Sequence, residues 1–196
     1  MKKLLITLFA AFALAACGGG PLNQGNSGRE IIAFGDSITD GHGVADGQDY
    51  PSLLTAKTGK RVINLGVSGD TMAQGRARMR EIAGYRPYMV LIEFGGNDAI
   101  RSRPFTQTEE SLTAIIDYVQ SLGAIAVVVD TGGNFKMNPY SKMFKRIAKE
   151  KRALFVPAIM DGIFYKPALK SDAIHPNAAG HQKIADKIYK HIKDYL

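Results

Sequence analysis

At 196 residues, with 45% hydrophobic and 22% charged side chains, the chain has the size and composition of one globular domain; an intrinsically disordered chain and a fibrous repeat are both excluded. Its single cysteine excludes an intramolecular disulfide, and the absence of a C-x-x-C pair excludes a thiolate zinc site. A formal charge of +7 is mildly basic, but no helix-turn-helix signature, RNP motif or arginine-rich tract accompanies it, so nucleic acid is not an expected partner.

The chain opens on Lys2 and Lys3, followed by an apolar run from Leu4 to Ala16 that only Thr7 breaks, and then Cys17. A charged start, a short apolar stretch and small residues form an export signal. The run is shorter than the roughly 20 residues a helix needs to cross a bilayer. Leu14-Ala15-Ala16-Cys17 resembles the lipobox of bacterial lipoproteins, in which the cysteine becomes the diacylated first residue. The expectation is a signal peptide over residues 1–16, lipidation at Cys17, a flexible Gly-, Asn- and Ser-rich tether over 17–28 and a folded domain over 29–196. Such a chain is anchored to the cell envelope through its lipid, with the outer membrane facing the periplasm as the expected location. Without Lys2 and Lys3 it keeps 23 basic and 18 acidic residues, a net +5.

Beyond Arg29, short apolar runs alternate with segments of helical period. Strands are expected at Ile31–Phe34, Arg61–Leu65, Tyr88–Phe94, Ala124–Val129 and Leu154–Val156, and helices at Tyr50–Lys57, Thr71–Ile82, Thr106–Ser121, Pro139–Lys151 and Pro176–Tyr195. Met89-Val90-Leu91-Ile92 and Ala126-Val127-Val128-Val129 are apolar without alternation, as in a parallel sheet covered on both faces. Strand and helix in turn imply right-handed crossovers and an α/β fold, a three-layer α/β/α sandwich whose ligands bind beyond the carboxyl ends of about five strands. Lys142, Lys145 and Lys149, and Lys183, Lys187, Lys190 and Lys193, recur at helical spacing and read as solvated faces.

The polar residues that follow the strands are the candidate site. Ser37, in Gly35-Asp36-Ser37, sits at a strand-to-helix turn, where a hydroxyl is exposed and backbone N–H groups stabilise developing negative charge; a plain turn has the same composition. The Asn64–Thr71 loop places backbone amides near Gly69, and Asn97, after Gly95-Gly96, offers a side-chain amide to an oxyanion. The loop lacks the Walker pattern, and no G-x-G-x-x-G follows a strand, which disfavours a nucleotide. Asp172 lies three residues before His175. A histidine that takes a proton from serine presents one nitrogen to the hydroxyl and donates from the other to a carboxylate, so Ser37, His175 and Asp172 fit these roles. His42 has no carboxylate placed as neatly, and His181 and His191, in a lysine-bearing helix, are expected to face solvent. No H-E-x-x-H spacing occurs, so no metal and no cofactor are expected.

Gly35-Asp36-Ser37, Gly69 within Ser68–Thr71, Gly96-Asn97-Asp98 and Asp172-x-x-His175 together resemble the blocks of the SGNH, or GDSL, hydrolases. The likeness spans Ile31 to the last helix and is greatest to bacterial periplasmic thioesterases, arylesterases and lysophospholipases. It implies a flavodoxin-like sandwich. It also implies Ser37 as nucleophile, His175 as base and then acid, Asp172 as its orienter, and an oxyanion hole of the Ser37 and Gly69 N–H groups and the Asn97 amide. The implied substrate is a small acyl ester or thioester. The lipobox and the stretches Ala99–Phe105 and Asp130–Tyr140 depart from that group, which leaves two other readings open: an O-acetylesterase acting on cell-wall or surface glycans, and a noncatalytic surface lipoprotein. The G-x-S-x-G elbow of α/β-hydrolases is absent.

Overall fold

The computed structural model describes residues 20–134 and 137–196; the leader, Cys17 and the start of the expected tether lie outside the described residues. Five strands, β1 (Glu30–Gly35), β2 (Val62–Gly66), β3 (Pro87–Phe94), β4 (Ile125–Asp130) and β5 (Leu154–Val156), form one sheet in the order β2-β1-β3-β4-β5. Every pairing is parallel, with Ile32 opposite Ile63 and Val90, and Leu91 opposite Val127.

The continuous apolar runs divide by strand parity between two cores. Ile32, Phe34, Val90, Ile92, Phe94, Ala126 and Val128 face one side, packed against α3 (Met72–Arg78), α5 (Phe105–Ser121) and α6 (Asn138–Glu150). Ile31, Ala33, Met89, Leu91, Val127 and Val129 face the other, against α2 (Tyr50–Thr58) and α7 (Ala178–Ile192). The architecture is the expected three-layer sandwich. Strand order reverses between β1 and β3, and the crevice of such a sheet opens at that point, beyond the strands' carboxyl ends.

Two local expectations are corrected. The helix expected over Thr71–Ile82 is α3 followed by a 3₁₀ stretch, Met79–Gly84. Pro176 belongs to an isolated bridge with Lys170 rather than to the last helix, which Asn177 caps by accepting from Gly180 N–H. Two short helices not anticipated, α1 (Ser37–Asp40) and α4 (Gly96–Ile100), follow β1 and β3.

Residues 21–28 are not a free tether. The Leu22 N–H donates to Arg152 O, Asn23 donates from its side chain to Gln120 O and Ala124 O, and Asn26 donates to Tyr88 O. These bonds satisfy carbonyls at the amino-terminal edge of the sheet, so residues preceding Arg29 are part of the described fold.

Candidate active site

Ser37 is delivered by the turn that ends β1. Asp36 caps α1 by accepting the Ile38 N–H on Oδ1 at 3.1 Å, which places the Ser37 hydroxyl at the first turn of the helix. Opposite it, the segment before α7 brings in His175, whose Nε2 lies 3.0 Å from Ser37 Oγ and whose Nδ1 lies 2.7 Å from Asp172 Oδ2. Asp172 Oδ1 also accepts the N–H groups of Ile174 and His175, both at 2.8 Å, a turn that fixes the carboxylate under the imidazole. Desolvation opposes ionisation of Asp172. The hydrogen bonds from the His175 ring and from the two backbone N–H groups outweigh it and hold the carboxyl well below the usual carboxylate range. A fixed carboxylate on Nδ1–H leaves the Nε2 lone pair facing a hydroxyl, an arrangement that can move a proton off serine oxygen.

The second wall comes from the loops after β2 and β3. Gly69 has φ +88°, a left-handed conformation that a side chain would strain, and its loop is tied to α1 by Ser68 Oγ donating to Asp40 Oδ2 at 2.6 Å. Arg78 anchors this loop from below. Its guanidinium donates to Asp70 Oδ2 at 2.7 Å, to Leu65 O at 2.9 Å and to Gly35 O at 3.0 Å, and lies over the Phe34 ring. Asn97 donates its amide to Asp70 O at 3.1 Å and to Asp36 Oδ2 at 3.3 Å. Asp98 turns away: its carboxylate accepts the Met72 N–H and the Thr108 hydroxyl, so it is a fold residue.

A buried polar layer lies underneath, which spacing and composition did not reveal. Glu93, wholly buried near the end of β3, accepts the Thr131 hydroxyl on one oxygen and the Thr39 hydroxyl on the other, each at 2.9 Å; the Tyr50 hydroxyl donates to Thr39 in turn. Burial first, then the Glu93 charge, push the neighbouring Asp36 carboxyl well above the usual carboxylate range. Burial raises the Glu93 carboxyl as well, against the two hydroxyls that donate to it, so the two buried carboxyl groups resist ionising together.

Ser37, Gly69, Asn97 and His175 open onto one cavity of about 630 Å³. Its walls are apolar, with Ile38, Ala99, Met137, Met160 and Phe164 inside and the exposed Ile100, Tyr165 and Ile174 at the rim. The two stretches that departed from the family pattern both contribute, and the Tyr140 hydroxyl donating to Arg103 O, with the Phe105 and Tyr140 rings 4.5 Å apart, ties them together.

The remaining histidines differ from expectation. His181 is fully buried against α2, where its Nδ1 accepts the Tyr50 N–H at 3.2 Å; it does not face solvent. His191 is half-buried and donates from Nδ1 to Lys187 O. His42, far away in sequence, stands beside His175 with ring centroids 4.3 Å apart and Nε2 3.9 Å from Asp172 Oδ2. The lysine sets do lie on exposed faces, except that Lys187 reaches back to donate to Ala158 O.

The chain is 31% identical over 173 residues to thioesterase 1/protease 1/lysophospholipase L1 of Escherichia coli strain K12, covering 83% of each chain. It is 30% identical over 207 residues to an acetylxylan esterase of Geobacillus stearothermophilus, covering 85% of this chain and 94% of that one. It superposes with TM-score 0.77 on the psychrotrophic esterase EstA from Pseudoalteromonas sp., solved in a form inhibited by monoethylphosphonate, at 26% identity and covering 86% of this chain and 98% of that one. The model of the GDSL-like lipase/acylhydrolase family matches residues 33–183, most of the sandwich and the whole crevice, and the chain belongs to that family.

Proposed function

We propose that this protein is a serine esterase that cleaves acyl esters or thioesters through an acyl-enzyme, with Ser37 as nucleophile, His175 as general base and acid, and Asp172 as its orienter. The observation that carries the reading is the unbroken hydrogen-bonded line from Ser37 through His175 to Asp172 at the mouth of an apolar cavity. Ser37 Oγ adds to the acyl carbon as His175 Nε2 takes its proton, and Asp172 stabilises the imidazolium. The carbonyl oxygen becomes an oxyanion, which the N–H groups of Ser37 and Gly69 and the Asn97 amide receive. The Asn97 contact to Asp36 is long, 3.3 Å, and an oxyanion competes with it for the Asn97 N–H. Collapse of the intermediate breaks the acyl–oxygen or acyl–sulfur bond, His175 returns the proton to the leaving group, and water repeats the cycle on the acyl-enzyme.

The apolar walls and rim favour a medium or long acyl chain, as in a lysophospholipid or an acyl thioester. The acetylxylan esterase relative supports a second reading, removal of O-acetyl groups from cell-wall or surface glycans. We further propose that Cys17 anchors the enzyme to the envelope by its lipid, on the strength of the leader sequence.

Hydrolysis of p-nitrophenyl esters from acetate to palmitate, by wild type and Ser37→Ala, tests the reading. Serine-dependent turnover that peaks at medium or long chains supports a lipid or thioester substrate, and activity confined to acetate redirects the search to acetylated glycans. The substitution is expected to lower kcat by up to about 10⁶. Turnover that survives it, or no turnover on any chain, overturns the reading, the second result in favour of a noncatalytic lipoprotein. Fractionation of a Cys17→Ala strain tests the anchor; retention in the membrane refutes it.

A further inference from the structure

We propose that His42, Asp172 and His175 form a binding site for one zinc ion, and that filling it disables the general base. The consequence for catalysis rests on the esterase reading above; the site itself does not.

The three side chains offer one ligand atom each, all within 4.8 Å of one another, and they are the one such group among the described residues. Two imidazoles and a carboxylate suit zinc, whereas magnesium and calcium favour oxygen ligands. His42 is held in place by its own backbone. It lies between Gly41 (φ +92°) and Gly43 (φ +85°), and its N–H donates to Ser37 O at 3.0 Å. A Cβ on Gly43 would run into the Ser171 side chain, so this loop lies directly on the segment that carries Asp172.

A tetrahedral zinc ion with bonds of about 2.0 to 2.1 Å spaces its ligand atoms by roughly 3.3 Å. The His175 Nδ1 to Asp172 Oδ2 contact of 2.7 Å must open, and the His42 Nε2 to Asp172 Oδ2 distance of 3.9 Å must close. The His42 and Asp172 side chains are 52% and 45% exposed, which leaves them room for both shifts and leaves a fourth coordination position open to solvent. Asp172 Oδ1 keeps the Ile174 and His175 N–H groups, which leaves Oδ2 as the ligand atom.

The effect on the base follows from imidazole chemistry. In the resting site Nδ1 carries the ring proton and donates it to Asp172, so the Nε2 lone pair faces Ser37. Zinc needs the lone pair of Nδ1. A neutral imidazole has a single N–H, so coordination at Nδ1 moves the proton to Nε2, with no net proton release. From there the ring donates to Ser37 Oγ and cannot accept its proton. One ion thereby converts the acceptor at the nucleophile into a donor while Ser37 itself remains untouched.

The test has two arms. In the first, wild type and His42→Ala are stripped with EDTA and titrated with zinc chloride while p-nitrophenyl butyrate hydrolysis is followed. Both hydrolyse the ester in metal-free buffer. Zinc inhibits wild type, EDTA restores it, and the variant requires roughly 10- to 100-fold more zinc for half-inhibition, since a lost ligand costs at least as much as a lost supporting contact. Equal zinc sensitivity of the two proteins overturns the proposal. In the second arm, calorimetry with zinc chloride compares Ser37→Ala with Ser37→Ala/His42→Ala, both full chains that retain Cys17. A binding event present in the first and lost in the second supports the site, and identical isotherms refute it. If no ester is hydrolysed even in EDTA, the esterase reading fails, and the calorimetric arm alone decides the metal site.

Discussion

His181 should make the fold acid-sensitive in a way that can be isolated from every other group. Burial, opposed by Asp49 and assisted by His175, lowers its pKa from the ordinary 6.5 to about 4. Its Nδ1 is committed as an acceptor for the Tyr50 N–H, and its Nε2 has no hydrogen-bond partner among the described residues, so the ring is neutral in the folded state. The folded pKa lies below the unfolded one. Between pH 6.5 and 4 the unfolded chain binds a proton that the folded chain refuses, and stability falls as the pH is lowered through that window. A shift from 6.5 to about 4 corresponds to about 3 kcal/mol in full, of which about 2 kcal/mol is lost between pH 7 and pH 5. The assay is urea unfolding at half-unit steps of pH, with wild type beside His181→Gln, whose amide oxygen can still accept from Tyr50. Subtracting the two curves cancels the shared carboxylates. The difference should grow by about 2 kcal/mol in favour of the variant from pH 7 to pH 5. Parallel curves would refute the assignment of a neutral, buried His181.

Three further outcomes follow from the crevice. Asn97→Ala removes one proposed oxyanion donor and should lower kcat by about 10² to 10³ with KM little changed, measured on the ester preferred by wild type; a rise in KM with kcat intact would place Asn97 in ground-state binding. Arg78→Ala leaves Asp70 buried without its partner and frees the Leu65 and Gly35 carbonyls, so urea unfolding should show a loss of about 3 to 5 kcal/mol. A loss below 1 kcal/mol would show that the Gly69 loop needs no such anchor. Glu93→Gln removes the charge that, after burial, raises the Asp36 carboxyl; Asp36 then ionises more readily and holds the Asn97 amide more tightly, and kcat should fall while labelling of Ser37 by a fluorophosphonate persists at a reduced rate. Labelling and kcat at wild-type values would separate this buried layer from the oxyanion site.

The sheet was legible because its central strands are apolar on both faces, a pattern that needs helices above and below. Ser37, Gly69, Asn97 and the Asp172–His175 pair were legible because each follows an element, where polar residues serve no core. His181 was misread from the lysines around it. Its phase held the answer, since it shares the stripe of Ile184, Ala185 and Ile188 that packs on α2. Nothing local marks His42 or Glu93, whose partners come from distant segments, and α1 and α4 are too short to show a period. Asn23 and Asn26 looked like linker residues for the same reason: composition identifies polar side chains, not the distant carbonyls they cap.

The crevice thus has two unlike halves. Ser37, Gly69 and Asn97 stand on buried supports, the Arg78 guanidinium, the Asp36–Glu93 pair and the ends of β1 and β3, so the proposed oxyanion position is set before any substrate arrives. Preorganised donors of this kind cost no rearrangement during reaction, which is why they contribute most when their supports cannot move. The Asp172–His175 half is carried by a solvent-facing turn whose carboxylate is 45% exposed. Proton transfer needs only the correct tautomer at one nitrogen, and a short turn with three hydrogen bonds to one carboxylate supplies it. Substitutions in the buried layer should therefore act on stability and on kcat together, whereas agents in solution, protons and metal ions among them, should reach the enzyme through its exposed acid–base half.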